Sequence, residues 1–428
     1  MSSRLLTVIV VALAVIVWAV PLQLAPVWAD TVITDIPVYR EVADSVLDGQ
    51  VPYRDFDLEY PPGALIPFLL PALAPVGYGE AFSVLMLLAL IATALGAMAT
   101  ARALGFDRHR EAVAGVAIAL SPLLLGNLVE TRFDLVPTAL VAWALWAAAS
   151  GRHRLAWGLL GGAALVKLFP LALVPALLIL HLRRSGGAEA IRGAAIGAGV
   201  FVAGLVPFAL LSLSGTWDLV QYHLDRPPQI ESTASAYLLS LHALADVPVA
   251  VENSFGSQGI PGSAASTLAL ATTLAALAAV VALLVTYHGG LKGTRPPGDA
   301  RLMVAASAAT LAALMAGGKV LSPQFLVWLL PVGFLIAGRF AWTAAGGTVL
   351  AMLLTQAYFP SDYWDLVALQ STQIWILVLR NAVIIGLVAA FWPRPSVATR
   401  PEGRVLWWRP PGRPPRSDSA VAARYLTD

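Results

Sequence analysis

The sequence contains no cysteine, and this absence excludes disulfide bonds, thiolate metal sites and a cysteine nucleophile. Its six histidines lack the spacing of metal ligands, and no HExxH helix, P-loop or GxSxG nucleophile elbow is present. We therefore expect neither a bound metal nor a cofactor.

Charged residues are also scarce. Asp, Glu, Lys and Arg make up 12% of the chain, against about 25% in soluble globular proteins. Hydrophobic residues make up 58% and form long runs rich in Leu, Ala, Val and Gly. Runs of roughly 18 to 25 apolar residues are typical of membrane-spanning helices, whereas outer-membrane barrels use short alternating strands. The fold class is therefore an all-α polytopic membrane protein.

The hydropathy pattern predicts about 12 transmembrane helices within one membrane domain, residues 1–393. The first apolar run has no convincing cleavage site, so we interpret it as a retained span. Residues 62–77 are apolar but too short, and Pro67, Pro71 and Pro75 interrupt them, which predicts a re-entrant or interfacial helix. The predicted spans are 4–26, 80–104, 111–128, 134–150, 155–170, 171–184, 191–213, 263–287, 301–317, 323–338, 341–359 and 373–392.

Lys and Arg concentrate in alternate loops, and the positive-inside rule assigns those loops to the cytoplasm. Residues 394–428 are rich in Pro and Arg, which predicts a disordered basic cytoplasmic tail and places both termini inside. The other loops are poor in bases and face away from the cytoplasm. They include a first outer loop, residues 27–61, and a long outer loop, residues 214–262.

Acids and bases gather near that outer boundary, where ionisable residues invite a functional interpretation. Lys, Arg and His there suit a phosphate, and a carboxylate suits a general base. Each residue also has a simpler interpretation: Asp35 as one solvated acid among several, Arg132 with Asp134 as a structural ion pair, and the bases as anchors that reach the interface. The candidates are Asp35, Glu59, Arg132, Asp134, Lys167, His223, Arg226 and Lys319.

Several short motifs together resemble those of glycosyltransferase family 87. They are an Asp soon after the first span, in TDIPVYR; GQVPYRDFDLEYPP at the end of the first outer loop; VKLFP; RPPQIES in the long outer loop; and KVLSPQF before a later span. The resemblance covers the chain from Thr31 to about Arg380. It implies the C-type glycosyltransferase fold, a polyprenyl-phosphate sugar donor, an acceptor reached from the non-cytoplasmic side and direct displacement with inversion.

The resemblance also implies that Asp35 is the catalytic base, although Asp30 or Glu59 remains an alternative. We expect Arg132, Lys167 and Lys319, with His223 or Arg226, to hold the departing phosphate. Glu59, Tyr60 and Gln324 would orient sugar hydroxyls. Tyr39, Asp134 and Glu231 complete the set of expected substrate-binding residues.

The function that we expect is transfer of a hexose, with mannose as first choice, from a polyprenyl phosphate to a lipid-linked or glycan hydroxyl. Membrane lipids are expected partners and nucleic acids are not. The Ala-, Arg- and Gly-rich composition suggests a bacterial plasma membrane and a cell-envelope product. A transporter or flippase for a lipid-linked saccharide is the alternative, but such proteins commonly show inverted repeats, and this sequence shows no clear repeat. An inactive membrane scaffold is a third possibility.

Overall fold

The computed structural model describes residues 2–19 and 33–394. Asp30, the end of the first predicted span and the predicted tail from residue 395 lie outside the described residues. In the first half of the chain the helices are α1 (Ser3–Ala19), α2 (Ile36–Leu47), α3 (Leu65–Ala72), α4 (Tyr78–Ala103), α5 (Arg108–Ala119), α6 (Pro122–Leu125), α7 (Leu128–Thr131), α8 (Leu135–Ala149), α9 (His153–Val166) and α10 (Val174–Leu211). In the second half they are α11 (Leu213–Asp225), α12 (Thr233–Ala245), α13 (Ser263–Gly290), α14 (Gly298–Gly317), α15 (Leu330–Gly333), α16 (Ala341–Gln356), α17 (Tyr363–Val367) and α18 (Ser371–Phe391).

Short non-α elements lie between these helices. 3₁₀ turns occupy Pro62–Ala64, Phe169–Leu173 and Pro323–Leu329. Two strands, β1 (Glu252–Ser254) and β2 (Ser257–Gly259), pair as an antiparallel hairpin.

Helix α14 lies at the centre of the bundle and is buried along almost its whole length. It packs against α13 and α18, and it also contacts α10 from the group formed by α4, α8, α9 and α10. Ala, Gly, Ser and Thr make up 12 of its 20 residues, and such small side chains let helices approach closely. At the end of α14, Thr272 and Thr273 of α13 donate hydrogen bonds to the carbonyl of Gly317, at 3.1 and 2.9 Å.

Helix α10 reverses direction at Gly186, where the backbone has φ 80° and ψ 173°. Gly193, beyond the bend, lies against Trp157 of α9 and against His181, which precedes the bend. The predicted spans 171–184 and 191–213 therefore correspond to the two arms of one bent helix. Positive φ is accessible to Gly without steric cost, which explains the residue at the bend.

Within residues 2–19 and 33–394, five helical stretches are long and apolar enough to cross a membrane: Tyr78–Ala103, Phe169–Leu211, Ser263–Gly290, Gly298–Gly317 and Ser371–Phe391. Other apolar helices are shorter, so the total of twelve spans remains a prediction. The residues expected to be re-entrant or interfacial form a 3₁₀ turn and α3, which together end at Ala72. Eleven residues of helix are too few to cross a bilayer, which needs about 20.

Two predicted spans are wrong as continuous helices. Residues 111–128 divide among α5, α6 and α7, because Pro122 begins a new helix and Gly126 turns with φ 56°. Residues 323–338 form a 3₁₀ turn and the four residues of α15, and then leave helical structure. Most of this second segment is buried against other helices. Non-helical backbone at membrane depth is tolerated where protein surrounds it.

The bundle has two chemically distinct ends. At one end, Arg184 forms a two-pronged ion pair with Asp299, at 2.7 and 2.8 Å, and Arg301 donates to the carbonyl of Leu104. Helices α4, α9 and α14 run from this end to the opposite end of the bundle. Their other termini therefore meet the interrupted segments at that opposite end. The polar loops predicted to face away from the cytoplasm thus share one end.

Helices α9 and α10 meet through glycine. A Cβ atom built on Gly161 would lie 2.2 Å from the carbonyl oxygen of Gly197, whereas one built on Gly162 would meet nothing within 4 Å. We expect Gly161→Ala to destabilise the purified protein by about 1–3 kcal/mol, as other overpacking substitutions do. The measurement is the midpoint of thermal unfolding in detergent. Gly162→Ala is the matched control and should unfold at the parental temperature or slightly above; equal midpoints for both variants would contradict this packing.

Candidate active site

A cavity of about 530 Å³ opens at the end of the bundle where the helices are interrupted. Its wall is assembled from the start of α2, the breaks before α8 and after α9, the long outer loop with its hairpin, and the segments around residues 322 and 363. These segments leave helical geometry at the same place, so their side chains converge although they are distant in sequence.

Asp35 occupies the N-cap position of α2 and lines this cavity. Its Oδ1 lies 2.7 Å from Nη1 of Arg132, and the Tyr39 hydroxyl donates to Oδ2 at 3.1 Å. Burial raises the pKa of Asp35 above its ordinary value, and the positive charge of Arg132 opposes that shift. A carboxylate with a raised pKa binds a proton more strongly than an exposed aspartate does, which suits a general base.

Aromatic packing fixes the position of α2. The Tyr39 ring stacks on Phe68 of α3 at 4.4 Å and lies 5.5 Å from both Phe82 and Phe133. Tyr39 is one helical turn after Asp35, so its hydroxyl reaches back to that carboxylate. The apolar ring thus anchors the helix while its polar end orients Asp35.

A second ion pair lies beside the first. Lys167, which follows the last residue of α9, donates to both carboxylate oxygens of Asp134 at 2.8 and 2.9 Å. Trp328 Nε1 donates to Asp134 as well, at 2.6 Å. The Lys167 ammonium also lies 4.6 Å from the centre of the Phe133 ring. Asp134 itself is buried behind the cavity wall, and Lys167 is the member of the pair that lines the cavity.

Glu59 and His223 lie on another part of the wall. The Tyr222 hydroxyl donates to the carbonyl of Phe255 at 2.6 Å, and the rings of Tyr222 and His223 lie 5.5 Å apart. Desolvation lowers the pKa of His223, an effect that the charge of Glu59 opposes. His223 is therefore a neutral hydrogen-bonding group at neutral pH and not a permanent cation.

The cavity brings together most of the candidates from the sequence. Lys319 does not line it; its ammonium donates to the carbonyls of Leu224 and Arg226, both at 2.7 Å. The Arg132–Asp134 ion pair considered from the sequence does not form, because Arg132 pairs with Asp35 and Asp134 with Lys167. The candidates that line the cavity are Asp35, Tyr39, Glu59, Tyr60, Arg132, Lys167, His223, Arg226, Glu231 and Gln324.

Sequence reasoning missed several polar groups in the wall. Asn253, Ser257 and Gln258 belong to the β-hairpin, and Tyr363 follows a loop after α16. The hairpin turns through Phe255 and Gly256, both at positive φ. An Asn-Gly or Asp-Gly pair would have indicated such a turn, but a bulky residue at its first position gives little signal.

The wall therefore combines three cations, Arg132, Lys167 and Arg226, with the carboxyl groups of Asp35, Glu59 and Glu231. Cations can bind an anionic leaving group, and a carboxylate at the same cavity can take a proton from a hydroxyl. Such an arrangement is suited to group transfer.

The apolar helices and the polar cavity at one end define a helical membrane protein with an enclosed site. The family model of glycosyltransferase family 87 matches residues 58–323, more than half of the chain. The chain belongs to glycosyltransferase family 87, as its sequence motifs indicated, and is a membrane glycosyltransferase. Searches of curated proteins and of solved structures found no match.

The matched segment contains Arg132, Lys167, Arg226 and Glu231 but begins after Asp35, so the match does not test the expected role of Asp35. Membership of a glycosyltransferase family favours an enzyme over the transporter and the inactive scaffold.

The Lys167–Asp134 ion pair stabilises the wall of the cavity. Asp134→Asn would leave the Lys167 ammonium, whose side chain is 13% exposed, without its counter-charge. We expect a loss of about 3–5 kcal/mol in the free energy of unfolding, typical of a buried pair that loses one member. Thermal unfolding in detergent measures this loss.

Glu189→Gln provides the matched control, because Glu189 pairs with the exposed Arg154 and Arg192. Because exposed ion pairs contribute little to stability, that variant should unfold close to the parental temperature. A smaller loss for Asp134→Asn than for Glu189→Gln would refute the supporting role of the buried pair.

Proposed function

We propose that this glycosyltransferase transfers a hexose, mannose being our first choice, from a polyprenyl phosphate to a hydroxyl of a lipid-linked or glycan acceptor, with inversion at the anomeric carbon. The observation that carries this proposal is that Asp35 lines the same cavity as Arg132, Lys167 and Arg226. The carboxylate of Asp35 and the cations Arg132 and Lys167 at one cavity supply the base and the leaving-group site that the reaction needs.

In the proposed reaction the acceptor oxygen attacks the anomeric carbon while Asp35 takes its proton. The bond between that carbon and the phosphate oxygen breaks, and the polyprenyl phosphate departs with the electron pair. Arg132 and Lys167 are placed to stabilise its negative charge. Lys319 has no part in this mechanism, since backbone carbonyls already occupy its ammonium.

Arg132 connects binding of the donor phosphate with proton transfer to Asp35. Its guanidinium pairs with Asp35 before substrate binds, and a guanidinium is well suited to bind phosphate. A phosphate that draws Arg132 away would remove the charge that opposes the raised pKa of Asp35. Donor binding would then make Asp35 a stronger base, so deprotonation would follow the arrival of the donor.

The acceptor is proposed to bind in a second cavity. A cavity of about 440 Å³ adjoins the first and shares Glu59 and Phe255 with it. Asp57, Asp218 and Asp225 line this second cavity, and Lys and Arg do not. Carboxylates repel phosphate and accept hydrogen bonds from hydroxyls, so we place the acceptor there. Glu59, Tyr60 and Gln324 are proposed to orient sugar hydroxyls, and residues 62–76 to line a groove for the prenyl chain.

We further propose that the site faces away from the cytoplasm of a bacterial plasma membrane. Its end of the bundle is opposite the arginine-rich end, which the positive-inside rule assigns to the cytoplasm. Trp18, near the end of α1, donates to Ser83 of α4 toward the site end, so α1 begins at the arginine-rich end. Arg394, after α18, lies 3.9 Å from the ring centre of Phe340, near Arg339. Both terminal helices fit cytoplasmic termini.

Asp35→Asn tests the base directly. We expect it to lower transfer from synthetic polyprenyl-phosphate-mannose to extracted membrane lipids by about 10²- to 10⁴-fold, the usual contribution of a general base. Donor binding should persist, because the phosphate site is intact. Asp44→Asn is the control: Asp44 lies on the same helix with its side chain 57% exposed. Near-parental turnover in Asp35→Asn would sink the assignment of the base, and no transfer by the parent from any hexose donor would sink the proposed reaction.

The absence of cysteine makes the orientation measurable with single introduced cysteines. Glu252→Cys lies in the hairpin at the site end, and Lys292→Cys lies at the opposite end; both positions are exposed. A membrane-impermeant maleimide should label the first in intact spheroplasts and the second only after permeabilisation. The reverse pattern would contradict an outward-facing site.

A further inference from the structure

The segment Arg226–Ser232 is held in place from both sides. Backbone hydrogen bonds join Gln229 to the carbonyl of Lys319 at 2.8 Å and Ile230 to the carbonyl of Gln258 at 3.0 Å. Ser232 then caps α12 by accepting from the amide of Ser235. Residues within this segment are therefore presented to the cavity on a rigid support.

A buried arginine fixes Glu231 through its backbone. Arg380 is fully buried, and its Nη2 donates to the carbonyl oxygen of Glu231 at 2.7 Å. Asn381 donates to the same oxygen at 3.1 Å. The remaining donors of Arg380 go to Leu321 and Tyr358 and to the Asn381 side chain. Arg380 thus positions Glu231 without forming an ion pair with its carboxylate.

The Glu231 side chain lacks a full set of partners. The residue is 1% exposed and lines the cavity, as Tyr363 does. Its Oε2 has no hydrogen-bond partner. Burial raises the pKa of Glu231 to about 7. A buried oxygen without a hydrogen-bond partner is destabilising, so a ligand that donates a hydrogen bond to it would be bound favourably.

Arg226 offers the complementary group. Its Nε is also buried without a hydrogen-bond partner, and Arg226 lines the same cavity. A ligand that satisfies both residues must accept from Arg226 and donate to Glu231. A hydroxyl group does both. A phosphate diester only accepts, and an ionised Glu231 would repel it, so phosphate fits Arg132 and Lys167 better.

We propose that Glu231, with Arg226, binds a hydroxyl of the sugar being transferred and thereby selects which hexose the enzyme uses. This inference rests on the proposed function and adds the part of the donor that the two residues recognise. The transferred sugar is favoured over the acceptor because these residues share their cavity with Arg132 and Lys167, whereas the adjoining acidic cavity can hold the acceptor. Glu231 is a specificity-determining residue in this scheme.

The test pairs variants of Glu231 with altered donors. The donors are polyprenyl-phosphate-mannose and its 2-, 3-, 4- and 6-deoxy analogues, assayed for kcat/KM with one acceptor. We expect the parent to lose about 10- to 100-fold on the analogue that lacks the recognised hydroxyl, as removal of a hydrogen bond to a charged group does. Glu231→Ala should lose as much on the intact donor and lose nothing further on that analogue. Penalties on the other analogues should be unchanged.

Controls separate recognition from structural damage. Glu252→Ala changes an exposed glutamate of β1 and should behave as the parent. Glu231→Gln keeps the size of the side chain and an accepting oxygen, so it should be more active than Glu231→Ala. If Glu231→Ala folds poorly, Glu231→Gln should still show a smaller additional loss on the analogue that lacks the recognised hydroxyl than the parent does. An equal loss on every donor in Glu231→Gln and Glu231→Ala would overturn the inference. Absence of transfer by the parent would instead defeat the proposed function.

Discussion

The carboxylate of Asp134 joins three parts of the chain that are far apart in sequence. It lies at the start of α8, accepts from Lys167 after α9 and accepts from Trp328 in a 3₁₀ turn. In a low-dielectric interior such an acid is stable only when its charge is balanced and its oxygens are hydrogen-bonded. The ends of these elements are therefore fixed relative to one another, and Lys167 is presented to the cavity with Arg132 two residues before Asp134.

The interrupted helices supply the space for this chemistry. A continuous helix through residues 111–128 would carry its backbone past the site, but Pro122 and Gly126 break it into short pieces. Arg132 then emerges in extended conformation between α7 and α8. Backbone groups freed from helices need partners, and Arg380 satisfies two such carbonyls, those of Glu231 and Leu321. The buried Arg380 thus holds the backbone near the site in place.

The charges at the cavity also suggest how one enzyme handles two unlike substrates. Arg132 and Lys167 are each already paired with an acid, so neither leaves a bare charge in the wall before the donor binds. The adjoining cavity carries acids only among its charged residues. In the proposed reaction, this difference in charge would direct a phosphate and a neutral acceptor to different sides of Glu59. Membership of glycosyltransferase family 87 supplies the reaction class in which this division is useful.

The sequence by itself determined the class of protein, because long apolar runs and scarce charge leave few alternatives to membrane helices. Lys167 stood out because it lies beside a helix breaker at the end poor in bases, and the motifs that resemble glycosyltransferase family 87 added Asp35 and the RPPQIES segment. Only the tertiary structure decided which acid meets which base. Neighbours in sequence suggested Arg132 with Asp134, but Asp35 and Lys167 arrive from other helices, and burial selects the pairs. Lys319 illustrates the same limit. Its charge suggested a phosphate ligand, whereas in the structure its ammonium donates hydrogen bonds to two backbone carbonyls. Hydrogen-bond partners depend on distances in the folded chain, which the spacing of residues in the sequence does not give.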